Sequence, residues 1–247
     1  MTIPSWPLSD SAAVALISGA SRGIGAAAAR LFAAAGYDLL LLARPSAELD
    51  GLVAELGPLG RRVEIQALDL TDPAAIAPGI NALCSRGLIP TVVINNAGMA
   101  YTGPLAAMPL DQWQRLMQLN LTSVFQLCQA LLPQLRQQGG GHIINVSSHA
   151  ARHAFPDWGA YCISKAALSA FSRCLAAEER SNGIRVSTLT LGSVNTPLWE
   201  SENVHSDFDR RAMLAAERAA EALLYLAQQP ATQVVEDLTL MPAAGAF

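Results

Sequence analysis

Ser18-Gly19-Ala20-Ser21-Arg22-Gly23-Ile24-Gly25 lies between a short apolar run, Ala12–Ser18, and an alanine-rich one, Gly23–Ala35. The first run reads as a strand and the second as a helix. A helix N-terminus presents unbonded backbone N–H groups. Glycines let an anion approach them with no Cβ in the way. Glycines at 19, 23 and 25 meet that need, spaced G-x-x-x-G-x-G rather than G-x-G-x-x-G. Strand, glycine turn and helix in this order predict a seat for the pyrophosphate of a dinucleotide, built from Gly19, Ser21, Arg22, Gly23, Ile24 and Gly25.

The rest of the chain continues the alternation. Leu39–Ala43, Val63–Leu68, Thr91–Asn95, His142–Ser147, Ile184–Leu191 and Asp237–Met241 read as further strands. Most are apolar throughout, as strands of a parallel sheet covered on both faces are. Ala47–Leu56, Ala74–Ser85, Leu110–Gln137, Gly159–Arg180 and Ala215–Gln228 read as helices, with Pro78 and Pro133 as points for a kink or an early end. The expected architecture is α/β: a doubly wound, Rossmann-type sheet of seven parallel strands with helices on both faces. No linker or repeat divides residues 1–247, so a single domain is expected, with 196–213 as a lid over the substrate.

Composition narrows the partners. The chain is 51% hydrophobic and 15% charged, with a formal net charge of −4. No basic run suits nucleic acid or an anionic membrane surface. No apolar stretch is long enough to span a bilayer. A cytoplasmic protein is expected. Cysteines at 84, 128, 162 and 174 form no C-x-x-C pair and have no His at ligand spacing, so free thiols and no metal site are expected. The low charge fraction suits self-association.

Cofactor choice is read at the end of the second strand. An NAD site usually carries Asp or Glu there. This strand ends Leu42-Ala43-Arg44. Arg44 and Arg22 are two cations suited to a 2′-phosphate, which favours NADP(H). Asp69, after the third strand, is placed to accept from the adenine amino group. Asp72 before Pro73 reads as a helix cap.

Tyr161 and Lys165 are four residues apart in a helical run and share a face. An ammonium beside a phenol favours the phenolate, so Lys165 is expected to lower the pKa of Tyr161. Such a Tyr can exchange a proton with a carbonyl or alcohol oxygen. Ser148 ends the fifth strand and can hold the same oxygen. Asn120, flanked by leucines, is either a solvent-facing helix residue or an anchor for a water chain to Lys165.

Ser18–Gly25, Asn95-Asn96-Ala97-Gly98, Asn120, Ser148 and Tyr161-Cys162-Ile163-Ser164-Lys165 together resemble the short-chain dehydrogenase/reductase family in kind, order and spacing, over nearly the whole chain. The resemblance implies that Tyr161 is the acid/base, Lys165 its partner and a ligand of the nicotinamide ribose, Ser148 the carbonyl-orienting group and Asn120 the end of the proton relay. It implies that Asn95-Asn96-Ala97-Gly98 shape the fourth strand's end beside the cofactor, with Asn95 steadying the central sheet, that Val194 meets the carboxamide through its backbone, and that Thr196 touches the pyrophosphate. It further implies a homo-oligomer, a tetramer or dimer, paired through the helices at 110–137 and 159–180. Three positions depart from the family pattern. Ser18 stands for the usual Thr, Leu191 for the Pro before Gly192, and the C-terminal segment lacks Asp-Gly-Gly.

The expected activity is NADP(H)-dependent interconversion of a small-molecule carbonyl and a secondary or primary alcohol. His149, Met99, Phe155, Trp158, Leu191 and Trp199 are candidate pocket walls. Reduction of a 3-oxoacyl thioester on an acyl carrier protein is an alternative, which would want cations such as Arg136, Arg173 and Arg180 near the entrance. A catalytically idle dinucleotide sensor would have no reason to keep Ser148, Tyr161, Lys165 and Asn120 together. Sugar-nucleotide epimerases carry a longer C-terminal substrate domain.

Overall fold

The computed structural model describes residues 13–245, so Ala12 of the expected first strand lies outside the described residues. The strands are β1 (Val14–Ser18), β2 (Asp38–Ala43), β3 (Val63–Ala67), β4 (Val92–Asn95), β5 (Gly141–Ser148), β6 (Ile184–Leu191), β7 (Val194–Asn195), β8 (Leu214–Ala215) and β9 (Asp237–Leu240). The α-helices are α1 (Gly23–Ala34), α2 (Ala47–Leu56), α3 (Pro73–Cys84), α4 (Leu110–Met117), α5 (Ser123–Gln137), α6 (Gly159–Glu179) and α7 (Ala216–Ala227). Seven strands form one sheet in the order β3-β2-β1-β4-β5-β6-β9, every neighbouring pair parallel.

The continuous apolar strands follow from burial on both faces. Ala15, Ile17, Leu39 and Leu41 pack on one side of the sheet with α1 and α7. Val14, Leu16, Leu40 and Leu42 pack on the other with α3, α5 and α6. Leu16, Leu39, Leu40 and Leu41 are fully buried. Each such Leu contributes about 1.5–3 kcal/mol relative to an exposed one. The alanines of α1, Ala26 to Ala29, are buried in the same cluster as Ala219 and Ala220 of α7, and their small side chains let helix and sheet approach closely.

The strand order reverses between β1 and β4, which opens a crevice beyond their C-terminal ends. Two features border it. The expected long helix Leu110–Gln137 is broken at Gln118–Thr122 by a π-helical segment between α4 and α5. A two-stranded ribbon, β7 paired with β8, fastens both ends of the stretch that follows β6. Pro78 and Pro133 stay inside α3 and α5 and end neither. Asp72 caps α3, accepting from the Ala74 N–H at 3.0 Å. No helix of the described residues is long and apolar enough to cross a membrane.

Candidate active site

A cleft of about 830 Å³ occupies this crevice. Its floor at one end is the glycine turn. Gly19 and Gly23 have φ of +66° and +57°, which favour glycine. A Cβ on Gly19 would come 2.9 Å from Ala97 Cα, and one on Gly25 would come 2.1 Å from the Gly19 carbonyl oxygen. A Cβ on Gly23 would come 3.3 Å from Thr196, so the turn and the segment after β7 face each other across a narrow gap. The residues present thus form a cradle of backbone at the N-terminus of α1 that side chains would fill, as a pyrophosphate requires.

The turn is held from β4. Ser18 Oγ accepts from the N–H of Asn96 at 3.0 Å and of Ala97 at 3.1 Å. The Asn96 amide donates back to the carbonyls of Ser18 and Gly19. Sequence reading treats Asn96 only as part of a motif, whereas its side chain is the clip between the two strand ends. Ser18 keeps the hydroxyl this clip needs.

The opposite wall of this end carries charges of both signs. Arg22 and Arg44 are exposed and line the cleft, as does Arg115 of α4. The reading of the second strand's end found no carboxylate, yet two reach the same region from other elements. Glu48, in the first turn of α2, is held below the usual carboxylate range by its own backbone N–H, by the Ser46 hydroxyl and by the charge of Arg22. Burial raises Asp69, but the N–H and hydroxyl of Thr71, with Arg44 and Arg115 nearby, outweigh it and hold that carboxyl low.

The other end is built by β5, α6 and the stretch after β6. Tyr161 and Lys165 lie on one face of α6 and both line the cleft. Burial pushes the Tyr161 hydroxyl up to about 12, while a hydrogen bond from Ser148 works the other way. Lys165 is buried, and burial pulls its ammonium down to about 8. Its Nζ donates to the Val146 carbonyl at 2.9 Å. The expectation that Lys165 lowers the Tyr161 pKa does not hold for the protein chain by itself: burial is the largest influence on the hydroxyl and raises it, and Lys165 turns its ammonium to the Val146 carbonyl.

Asn120 is fully buried, not solvent-facing. Its Oδ1 accepts from the Met99 N–H at 2.9 Å, and its Nδ2 donates to the Met99 carbonyl at 2.9 Å and to Ser164 Oγ at 3.0 Å. These three bonds hold the π-helical segment against α6 and against the loop after β4. Gly98 lies between: a Cβ there would come 3.4 Å from Asn120 Oδ1 and 3.7 Å from Lys165 Nζ. Asn95 is buried in the sheet and does not line the cleft. Its Nδ2 donates to Asn145 Oδ1 at 2.8 Å, and Asn145 donates on to Ser172, which ties β4, β5 and α6 together.

The substrate-side walls named from sequence, His149, Met99, Phe155, Trp158, Leu191 and Trp199, all line the cleft. His149 stacks on His153 with centroids 4.0 Å apart, and its pKa is lowered by burial and by the charges of His153 and Arg152. Leu191, in place of Pro, leaves the loop after β6 pinned: Gly192 N–H donates to the Leu240 carbonyl at 2.9 Å and Leu214 N–H to the Ser193 carbonyl at 3.0 Å. Val194 is buried, and its carbonyl accepts from Trp199 Nε1 at 2.8 Å. Sequence reading missed Phe208, which completes the aromatic wall, and Ser193, whose buried Oγ has no partner among the described residues. Gly25, Asn95 and Asn120 stand behind the cleft surface; the other expected site residues reach it.

The family model for short chain dehydrogenases matches residues 13–207. An uncharacterised oxidoreductase of Staphylococcus epidermidis is 29% identical over 229 residues, 93% of this chain and 96% of the relative. A D-threitol dehydrogenase of Mycolicibacterium smegmatis is 33% identical, over 75% of this chain and 71% of its own length. A metagenomic short-chain oxidoreductase crystallised with NADP superposes with a TM-score of 0.82 at 31% identity, covering 94% of this chain and 97% of the other. With the model match spanning most of the sequence and the seven-stranded fold agreeing with it, this chain belongs to the short-chain dehydrogenase family.

Proposed function

We propose that the protein is an NADP(H)-dependent oxidoreductase that interconverts a carbonyl and an alcohol. The observation that carries this reading is the Tyr161 hydroxyl, hydrogen-bonded to Ser148 and followed by Lys165, in the same cleft as the glycine cradle. When bound, a reduced nicotinamide dinucleotide supplies the hydride.

The chain supplies the remaining functions. Ser148 holds the substrate oxygen. Tyr161 gives that oxygen its proton in reduction and removes it in oxidation. Lys165 steadies the phenolate and binds the ribose. Asn120 closes the proton path through the backbone it fixes. Gly19, Ser21, Gly23, Ile24 and Thr196 would hold the pyrophosphate, Ala97 and Gly98 would leave room beside it, and Val194 would meet the carboxamide. Arg22 and Arg44 favour the 2′-phosphate over a bare ribose. Residues 196–213 form a lid, fastened where Arg210 donates to Asn195 Oδ1 at 2.7 Å and to the Thr196 carbonyl at 3.0 Å. Exposed Leu110, Phe125 and Ile163 on α4, α5 and α6 support a homo-oligomer. Tyr161→Phe tests the reading. NADPH binding is expected to persist while turnover falls by about 10²–10⁴-fold. Full turnover in this variant would overturn it.

A further inference from the structure

The cleft is divided by charge. Its arginines, Arg22, Arg44 and Arg115, stand at the glycine-turn end, the last two near Asp69. Lys165 is buried and bonded to the Val146 carbonyl. Past Tyr161, no Lys or Arg lines the cleft among the described residues. His149 is there, held toward its neutral form by burial and by neighbouring positive charge. Among the described residues, the one carboxylate that lines the cleft on that side is Glu202, which is exposed. Nearby arginines are occupied elsewhere: Arg152 pairs with Asp237 at 2.7 Å, and Arg210 holds the lid.

Aromatic surface takes the place of charge. Trp158, which precedes α6, meets the edge of Tyr161 with centroids 5.7 Å apart. Trp199 and Phe208 reach it from the stretch after β6, at 5.5 Å and 6.4 Å from Trp158 and 5.5 Å from each other. The Trp158 and Phe208 rings are nearly parallel, at 9°. Trp199 Nε1 is bonded to the Val194 carbonyl, so it offers a ring face rather than a donor. Three rings thus form one wall that begins at the proposed proton donor. Such a wall gains most from a flat apolar partner, by area and by ring–ring geometry. The rings themselves offer an anionic or polyhydroxylated substrate no compensation for lost water, and beyond Ser148 the polar groups on that side are the uncharged Ser193, Ser201 and Asn203, with His149 and the exposed Glu202.

We propose that the substrate is an uncharged ketone bearing a flat, aryl-type apolar group, or the matching secondary alcohol, and that Trp158, Trp199 and Phe208 select it. This rests on the hydride-transfer reading above. In reduction the carbonyl π bond breaks. The carbon gains hydride from the reduced nicotinamide dinucleotide, which is oxidised, and the oxygen gains the Tyr161 proton. The 3-oxoacyl thioester alternative fits less well. Arg136 is committed to Glu179, Arg180 lies 3.8 Å from Glu236, and neither lines the cleft.

The test compares kcat/KM for acetophenone, 2-butanone, acetoacetyl-CoA and a ketose with NADPH. Acetophenone is expected to lead each of the other three by at least about ten-fold. Trp199→Ala and Phe208→Ala are each expected to reduce the acetophenone value about ten-fold more than the 2-butanone value, chiefly through KM, and Trp199→Phe to restore most of it. Preference for acetoacetyl-CoA or the ketose, or a preference for acetophenone that survives both alanine variants, would overturn the proposal. Should no carbonyl be reduced, the hydride reading fails and calorimetry decides the substrate class. Acetophenone binding to the NADP-loaded protein, weakened at least about five-fold by Trp199→Ala, upholds it, and absence of binding or of that weakening overturns it.

Discussion

The Nζ of Lys165 stands 5.8 Å from the centroid of the Tyr161 ring, with its proton directed to the Val146 carbonyl at 2.9 Å. Burial acts on both groups and favours the neutral form of each, pushing the phenol up to about 12 and pulling the ammonium down to about 8. A phenol that ionises so late is a proton donor throughout the neutral range and a poor base. A positive charge brought close to the ring favours phenolate. Tyrosine absorbance is therefore expected to show one residue of the protein alone ionising near 12, and at clearly lower pH in the presence of NADP⁺. The shift should vanish in Tyr161→Phe. An unchanged titration with NADP⁺ would detach Tyr161 from the nicotinamide end of the site.

The glycine-turn end of the cleft carries charges of both signs close to one another. Arg22 acts on Glu48, and Arg44 on Asp69. Removing one cation should weaken binding of the 2′-phosphate without touching the ribose-only form. Arg44→Ala is expected to lower kcat/KM with NADPH by about ten-fold and with NADH by less than about three-fold. Glu48→Gln removes a carboxylate whose charge is felt at Arg22 and would repel a 2′-phosphate, so the NADPH/NADH ratio should rise, by about three-fold between exposed groups. Steady-state kinetics with both cofactors measures each ratio. A wild-type protein that used NADH as well as NADPH would refute the NADP(H) assignment.

Stability in acid should depend on a residue far from the cleft. His142, on β5, is buried, and burial together with Arg185 lowers its pKa to about 3. Its Nε2 lies 2.8 Å from Ser187 Oγ, which donates to the Val235 carbonyl at 2.6 Å, so the ring is the donor to Ser187. Its Nδ1 has no partner among the described residues. Between its ordinary value and about 3, the unfolded chain binds a proton that the folded one refuses. Stability from this group is then full above about pH 6.5 and is lost as pH falls, by up to about 1.4 kcal/mol per unit. Urea unfolding at pH 7.5 and pH 5 should differ by about 2 kcal/mol less in His142→Gln than in the wild type. Equal differences would mean that His142 is protonated in place or that the fold opens to water there.

The legible parts of this sequence are those set by local chemistry or by burial on two faces. Leu39–Ala43 reads as a strand because every position is apolar and both sides are covered, and Ile184–Leu191 because every position but Arg185 is apolar or small. The glycine turn reads from its place between a strand and a helix, and the Tyr161–Lys165 pair from the joint pattern it makes with Ser148 and Asn120 rather than from its spacing alone. What was illegible depends on contacts between distant segments. The π-helical break holds Asn120 against the backbone of Met99, 21 residues away. Nothing within Leu110–Gln137 announces it. Glu48 approaches Arg22 only because α2 starts beside the glycine turn. The pairing of β7 with β8, two residues each, is too short to leave a pattern, yet it sets where Trp199 and Phe208 stand.

Two glycines give the same substitution opposite signs. Gly25 is buried in the first turn of α1, where a Cβ would sit 2.1 Å from the Gly19 carbonyl oxygen and 2.8 Å from Asn96 Nδ2. Neither neighbour can yield freely, since the Asn96 amide is the clip on the turn. Gly25→Ala should therefore displace the glycine turn, destabilise the fold by about 1–3 kcal/mol and abolish NADPH binding. Gly51 lies inside α2 with no atom within 4 Å of its would-be Cβ. Its backbone is helical and accepts alanine without strain. Gly51→Ala should stabilise the protein by about 0.5–1 kcal/mol and leave NADPH affinity unchanged, because alanine loses less chain entropy on entering a helix. Denaturant unfolding and NADPH fluorescence titration measure both effects. If Gly25→Ala bound NADPH normally, the pyrophosphate would have to rest elsewhere than on the N-terminus of α1.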